Sequence, residues 1–137
     1  MAFTGPIEDR VAIRELIDCY NDAVHRRDAD AWRATWAEDA EWNLLGHVVS
    51  GRDAIVETWR GAMATFSYVG FSASPGAIEI DGDRAAVRVY VRETLIEKDA
   101  GRIRRIEGAY DDDLRKVGGA WVFARRGYSI LHETSAT

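Results

Sequence analysis

The spacing of apolar residues changes once along the chain, and that change limits the folds open to it. Before Gly70 apolar side chains recur at three- and four-residue steps, and after it they alternate. The first pattern lines one face of a helix and the second one face of a strand. Helices first and strands after is an α+β plan, with helices covering one face of an antiparallel sheet. From Ile7 to Arg27, the residues Ile13, Leu16, Ile17, Tyr20 and Val24 form one stripe, which predicts a long first helix. Asp28 or Asp30 can cap a short second helix carrying Trp32 and Trp36, which "AEDA" then ends. A third helix is expected to open at Ser50, with Asp53 at the reciprocal position of a capping box, and to run through Ile55, Trp59, Met63 and Phe66. Between the second and third, "EWNLLGHVVSG" predicts a strand. Turn residues at "DGD" (81–83), "DAG" (99–101) and "GG" (118–119) divide the remainder into a meander over 71–80, 84–97, 102–116 and 120–132.

A chain of 137 residues fits one domain, 1–137, with a site inside or on its single core. Net charge is −5 and the 18 Lys and Arg are scattered, so the footprint of a nucleic-acid binder is missing. No stretch nears the ~18 apolar residues of a membrane span, and "MAFTGPIEDR" lacks a signal peptide's apolar run. A cytoplasmic protein with no membrane partner is expected. The lone Cys19 is expected to be a small buried hydrophobe in a reducing compartment. His25, His47 and His132 have no ligand spacing, and neither a phosphate-binding glycine pattern nor a nucleophile elbow is present, so no metal and no cofactor is expected.

Chemistry is sought where polar residues fall on apolar faces. In "RAAVRVYVRETLIE" the residues Val87, Val89, Val91 and Leu95 share a face, and Glu93 falls with them. In "RRIEGAYDDDLRK" the inward set is Ile106, Gly108, Tyr110, Asp112 and Leu114. The last strand is ambiguous: Trp121, Phe123 and Leu131 compete with Val122, Ala124 and Ile130, and the second set brings Arg126 and Tyr128 inward. An inward carboxylate must pair, hydrogen-bond or stay protonated. The turn at Gly118–Gly119 can set Asp112 nearly opposite Arg126 as an ion pair; otherwise Asp112 is a neutral acid that, with Tyr110 beside it, donates to a developing oxyanion. Glu93 is either a strand-end residue near the open mouth or part of the pocket. His25 lies at the border of the helix stripe with Asp22 three residues back, either a helix-end cation or a general base. Tyr20 lies on the buried stripe, where its hydroxyl needs a partner.

"YNDAVHRRDADAWRATWAEDAEWNLLG", then "GRDAI", then "GAYDDDLRKVGGAWVFARR" resemble the SnoaL-like branch of the nuclear transport factor 2-like superfamily over nearly the whole chain. The resemblance implies a cone-shaped roll of about three N-terminal helices on a curved, mostly antiparallel sheet, a fold shared by lyases, isomerases, cyclases and non-catalytic domains. It matches Tyr20 to the oxyanion-binding tyrosine of ketosteroid isomerases and places Asp112 near their protonated aspartic acid. The base of those enzymes falls at Leu44, which cannot take a proton. The aspartate–histidine dyad of the dehydratase and dehydrochlorinase members falls at His25 and near Phe71, so the dyad is lost. The resemblance puts position 25 on the pocket wall, matches Arg126 to a pocket arginine and Tyr110 to a pocket aromatic, and favours an inward Arg126.

The expected function is a cofactor-independent lyase or isomerase acting by proton transfer in a hydrophobic pocket on a small, mainly apolar, aromatic or polycyclic molecule. His25, Tyr20, Tyr110 and Asp112 are the candidate catalytic residues, and Trp42, Phe71, Glu93, Arg126 and Tyr128 the candidate substrate contacts. The alternative is a non-catalytic small-ligand-binding or dimerisation domain with a vestigial pocket, plugged by Trp42, Phe71 and Tyr128. Arg88, Tyr90 and Arg92 on the outer sheet face, with Trp121 and Phe123 if they point outward, predict a homodimer through that face.

Overall fold

The structure is a computed structural model that describes residues 2–137. Its elements are β1 (Phe3–Thr4), α1 (Ile7–Arg26), α2 (Ala29–Ala34), β2 (Trp36–Leu44), β3 (His47–Ser50), α3 (Arg52–Met63), β4 (Phe66–Asp81), β5 (Arg84–Glu97), β6 (Ile103–Val117) and β7 (Ala120–Ala136). The seven strands form one sheet in the order β1-β4-β5-β6-β7-β2-β3. Only β1–β4 and β2–β7 pair in parallel. The architecture is therefore α+β, with three helices and a mostly antiparallel open sheet.

The stripe on α1 buries Ile13, Ile17, Tyr20, Ala23 and Val24 in one continuous core that also holds Val87, Val89 and Val91 of β5. Cys19 is exposed, contrary to expectation, because it lies about 100° around the helix from Tyr20. Asp28 caps α2 by accepting a hydrogen bond from Ala31 N at 3.0 Å. That helix is only six residues long, and Trp36 begins β2 instead of extending it. The reason is pairing: Thr35 O accepts from Phe123 N at 2.8 Å, and Trp36 lies beside Phe123 in the parallel ladder. Trp32 and Trp36 still pack, with ring centroids 5.5 Å apart, and Trp32 stacks on Trp59 at 4.6 Å.

"EWNLLGHVVSG" is a hairpin and not one strand. Leu45 (φ 55°) and Gly46 (φ 91°) form its two-residue turn, and Asn43 Oδ1 accepts from Gly46 N at 2.9 Å. Positive φ at both positions is what a twisted hairpin requires. The expected capping box at α3 is also absent. Gly51 is the N-cap without a side-chain bond, and Asp53 pairs with Arg33 at 2.5 Å.

The two readings of the last strand turn out to be compatible. Asp113 pairs with Arg125 but Leu114 pairs with Phe123, so Ala124 is an extra residue in β7. This bulge reverses the alternation. Trp121 and Phe123 point inward before it, and Arg126 points inward after it. The expectation that Trp121 and Phe123 could line the outer face is thereby corrected.

Candidate active site

Between α1, α3 and the sheet lies a cavity of about 120 Å³. Its wall is aromatic and aliphatic, with Trp42, Trp59, Phe71, Val69 and Leu95, and with Met63 and Phe66 from the α3–β4 junction. Tyr20, Tyr110 and Glu93 bring hydrogen-bonding groups to that wall. Trp42 Nε1 donates to Tyr110 Oη at 3.3 Å. No lysine or arginine is among the lining residues.

Burial pushes the pKa of both phenols upward, against the pull of the Arg126 charge, so each stays a neutral donor. Burial also lifts Glu93 above the ordinary carboxylate range, while the Tyr128 hydroxyl and the Arg104 charge pull it back. Tyr128 Oη donates to Glu93 Oε2 at 2.5 Å.

Beneath Tyr110 and Tyr20, Asp112 and Arg126 face each other in the β6–β7 ladder. Arg126 Nε donates to Asp112 Oδ1 at 2.9 Å and Nη2 to Oδ2 at 3.0 Å, and both side chains are shut off from solvent. The guanidinium carbon lies 3.8 Å from the Tyr110 ring centroid, 4.1 Å from Phe123 and 4.5 Å from Tyr20. Such aromatic faces stabilise a buried cation. Burial outweighs the arginine's attraction and pushes Asp112 up to about 6. The pair supports the floor of the cavity from behind; neither member lines it.

His25 stands outside the lining and is exposed. Its Nε2 lies 2.8 Å from Phe71 O and 3.0 Å from Phe71 N. With Nε2 protonated it donates to the carbonyl, and with Nε2 bare it accepts from the amide. Phe71 faces Glu93 on β5, and β1 covers β4 only at Ile78 and Glu79. His25 thus meets backbone groups on the otherwise uncovered edge of β4. Its neighbour Arg27 (φ 53°) donates from Nη1 to Met63 O and from Nη2 to Phe66 O, both at 2.9 Å.

Of the candidate residues, Tyr20, Tyr110, Trp42, Phe71 and Glu93 therefore meet at one cavity. Asp112 and Arg126 lie behind it, Tyr128 reaches it through Glu93, and His25 holds its wall from outside. Arg27 was missed because nothing in the local pattern marks a left-handed arginine. Trp59 and Met63 were legible as an apolar stripe on α3, though not as pocket lining, while Phe66, expected on that helix, begins β4.

The chain matches the SnoaL-like domain over residues 6–127. It belongs to the SnoaL-like family. An uncharacterized protein of Mycobacterium tuberculosis is 25% identical over 130 residues, covering 92% of this chain and 88% of the relative. A Novosphingobium aromaticivorans structure, provisionally assigned as an aromatic ring hydroxylase, superposes with a TM-score of 0.88 at 29% identity, over 97% of this chain and 96% of that one. A type 2 hexachlorocyclohexane dehydrochlorinase superposes equally well, at 0.88, over 96% of this chain and 90% of its own, with 16% identity, a likeness of fold alone. Among the described residues, no helix is long and apolar enough to cross a membrane.

Proposed function

We propose that this SnoaL-like protein is a cofactor-independent lyase or isomerase acting on a small, uncharged molecule with one ring. The observation that carries this reading is the meeting of one carboxyl group and two neutral phenols in a small, mainly apolar cavity. A cavity of about 150 Å³ takes a benzene ring, so about 120 Å³ suits one ring with small substituents and is tight for a polycycle. The lack of a lining cation disfavours a carboxylate or phosphate ligand, whose desolvated charge would find no partner.

In this reading Glu93 takes a proton from a carbon next to a carbonyl. The electron pair moves onto the carbonyl oxygen, where Tyr20 and Tyr110 donate hydrogen bonds to the developing charge. Returning the proton to another carbon completes an isomerisation. Expelling a leaving group one carbon further on completes an elimination. The raised Glu93 is a stronger base than a solvated carboxylate, and His25 keeps Phe71 in place.

A probe reaction tests this without the natural substrate. In D2O the protein is expected to speed exchange of the protons beside the carbonyl of cyclohexanone, followed by NMR. Glu93→Gln is expected to lower that rate by roughly 10²- to 10⁴-fold, while His25→Gln retains most of it. A drop of that size in His25→Gln with Glu93→Gln unaffected would return the proton to the histidine. The second reading, a non-catalytic ligand-binding domain, is favoured by the small volume of the cavity, about 120 Å³ with Trp42 and Phe71 in its wall. Saturable binding of cyclohexanone without exchange would establish it, and absence of binding would defeat both.

A further inference from the structure

Tyr128 leaves β7 opposite Tyr110 on β6, yet its hydroxyl ends on Glu93 of β5. The side chain must therefore cross β6. The residue it crosses is Gly108, which lies opposite Val91 of β5 and Ile130 of β7. A Cβ at position 108 would stand 2.6 Å from Tyr128 Oη, 2.7 Å from Cε1 and 2.8 Å from Cζ. Contacts that short do not occur between unbonded carbon and oxygen atoms. Gly108 is buried and is not among the glycines with positive φ, so its backbone does not call for glycine. Space for the tyrosine does.

Two other glycines of the sheet, Gly70 and Gly76, lie under Tyr68 and Tyr90, where the ring covers an otherwise bare strand. Tyr128 differs in what its hydroxyl does. It donates to a carboxylate on a cavity wall, and its ring also rests against Tyr110 at 4.8 Å between centroids. The other charged groups acting on Glu93 are Arg104 of β6 and Glu133 of β7. These two are bound to each other at 2.8 and 3.1 Å. Tyr110, from β6, is the other phenol that feels the Glu93 charge. The Tyr128 hydroxyl is thus the direct partner that fixes one oxygen of Glu93.

We propose that Tyr128, seated in the notch left by Gly108, is a positioning residue for Glu93. It holds one carboxylate oxygen, leaves the other for the cavity, and favours the ionised form by donating to it. The inference rests on Glu93 being the proton carrier, but its test needs no substrate. In protein carrying carboxyl-labelled glutamate, the Glu93 signal is identified by its loss in Glu93→Gln, and its midpoint is followed by NMR across pH. Tyr128→Phe keeps the ring and removes the donor, so the midpoint is expected to rise by about one to two pH units. Gly108→Ala pushes the intact tyrosine aside and is expected to move it in the same direction. The double variant is expected to shift no further than Tyr128→Phe alone, since both changes break one bond. An unchanged midpoint in folded Tyr128→Phe overturns the proposal, and so does a Gly108→Ala shift that adds in full to the other. If Gly108→Ala does not fold, the Tyr128→Phe titration decides alone. A shifted midpoint with no cyclohexanone exchange defeats the enzymatic reading and leaves this coupling standing. Exchange with an unmoved midpoint does the reverse.

Discussion

Arg126 keeps a full positive charge in a place without water, and Asp112 is only part of the reason. Three aromatic rings face its guanidinium carbon within 4.5 Å, so the cation retains favourable contacts even when the carboxyl group is neutral. Asp112 pushed up to about 6, above its unfolded value near 3.8, binds protons more tightly in the folded state. By linkage its contribution to stability is fully present below pH 4 and is lost as pH rises through about 6. Asn mimics the neutral acid. Asp112→Asn is therefore expected to gain roughly 1–3 kcal/mol on the wild type between pH 4 and pH 7. Denaturant melts at the two pH values measure this. A variant that instead loses ground by ~3 kcal/mol would show an ion pair dominated by Coulomb attraction. The pairing itself was legible: alternation put Asp112 inside, and a turn at Gly118–Gly119 put Arg126 across from it. Whether that carboxyl is held neutral stayed open in the sequence, because the balance between burial and the arginine's attraction depends on how deeply the pair is enclosed, which alternation does not reveal.

At the scale of elements, the end of α1 does more than stop a helix. Arg27 takes a left-handed conformation, and its amide donates to Val24 O at 3.2 Å. Its side chain meanwhile satisfies carbonyls of Met63, the last residue of α3, and Phe66, the first of β4. Helix C-terminal carbonyls lack partners within their own helix, and these two belong to residues of the cavity wall. Glycine suits the backbone here but cannot make those bonds; alanine does neither. Arg27→Gly is expected to cost about 1–2 kcal/mol, and Arg27→Ala about 1 kcal/mol more, since left-handed backbone disfavours a Cβ. Thermal melts should rank wild type, Gly, then Ala; an alanine variant melting at or above the glycine variant would defeat this account. Apolar periodicity located α1 and the four long strands, but β4 begins at Phe66 instead of 71 and β7 runs on to Ala136 instead of 132. It misassigned Trp36 because a residue four positions after Trp32 looks helical whether or not the helix continues. It left the faces of β7 ambiguous because an inserted residue, Ala124, shifts the alternation and leaves no mark on the local sequence.

For the whole molecule, moving Trp121 and Phe123 into the core changes the argument for self-association. The outer sheet face keeps Tyr68 and Tyr90, each about half exposed, and Leu131, at 60% exposure. Arg92 and Glu107 pair across it at 3.4 Å, and Tyr90, Arg92, Glu107 and Leu131 line a depression of about 500 Å³. This patch is smaller and more polar than one that included two further aromatic residues, and isolated apolar side chains on a surface need no partner. A homodimer through this face is thus a proposal that now rests on Tyr90 and Leu131, and it carries a sharper expectation than before. A two-fold interface brings the same patch together from both copies, so a charge placed there meets its like. Tyr90→Asp should therefore act twice on association while leaving the cavity, on the opposite face, untouched. Sedimentation equilibrium at micromolar concentration is expected to give twice the 15.3 kDa chain mass for the wild type and a monomer for Tyr90→Asp, with cyclohexanone exchange retained in both. A wild type that sediments as a monomer removes the dimer. A Tyr90→Asp variant that remains a dimer moves the interface to another face.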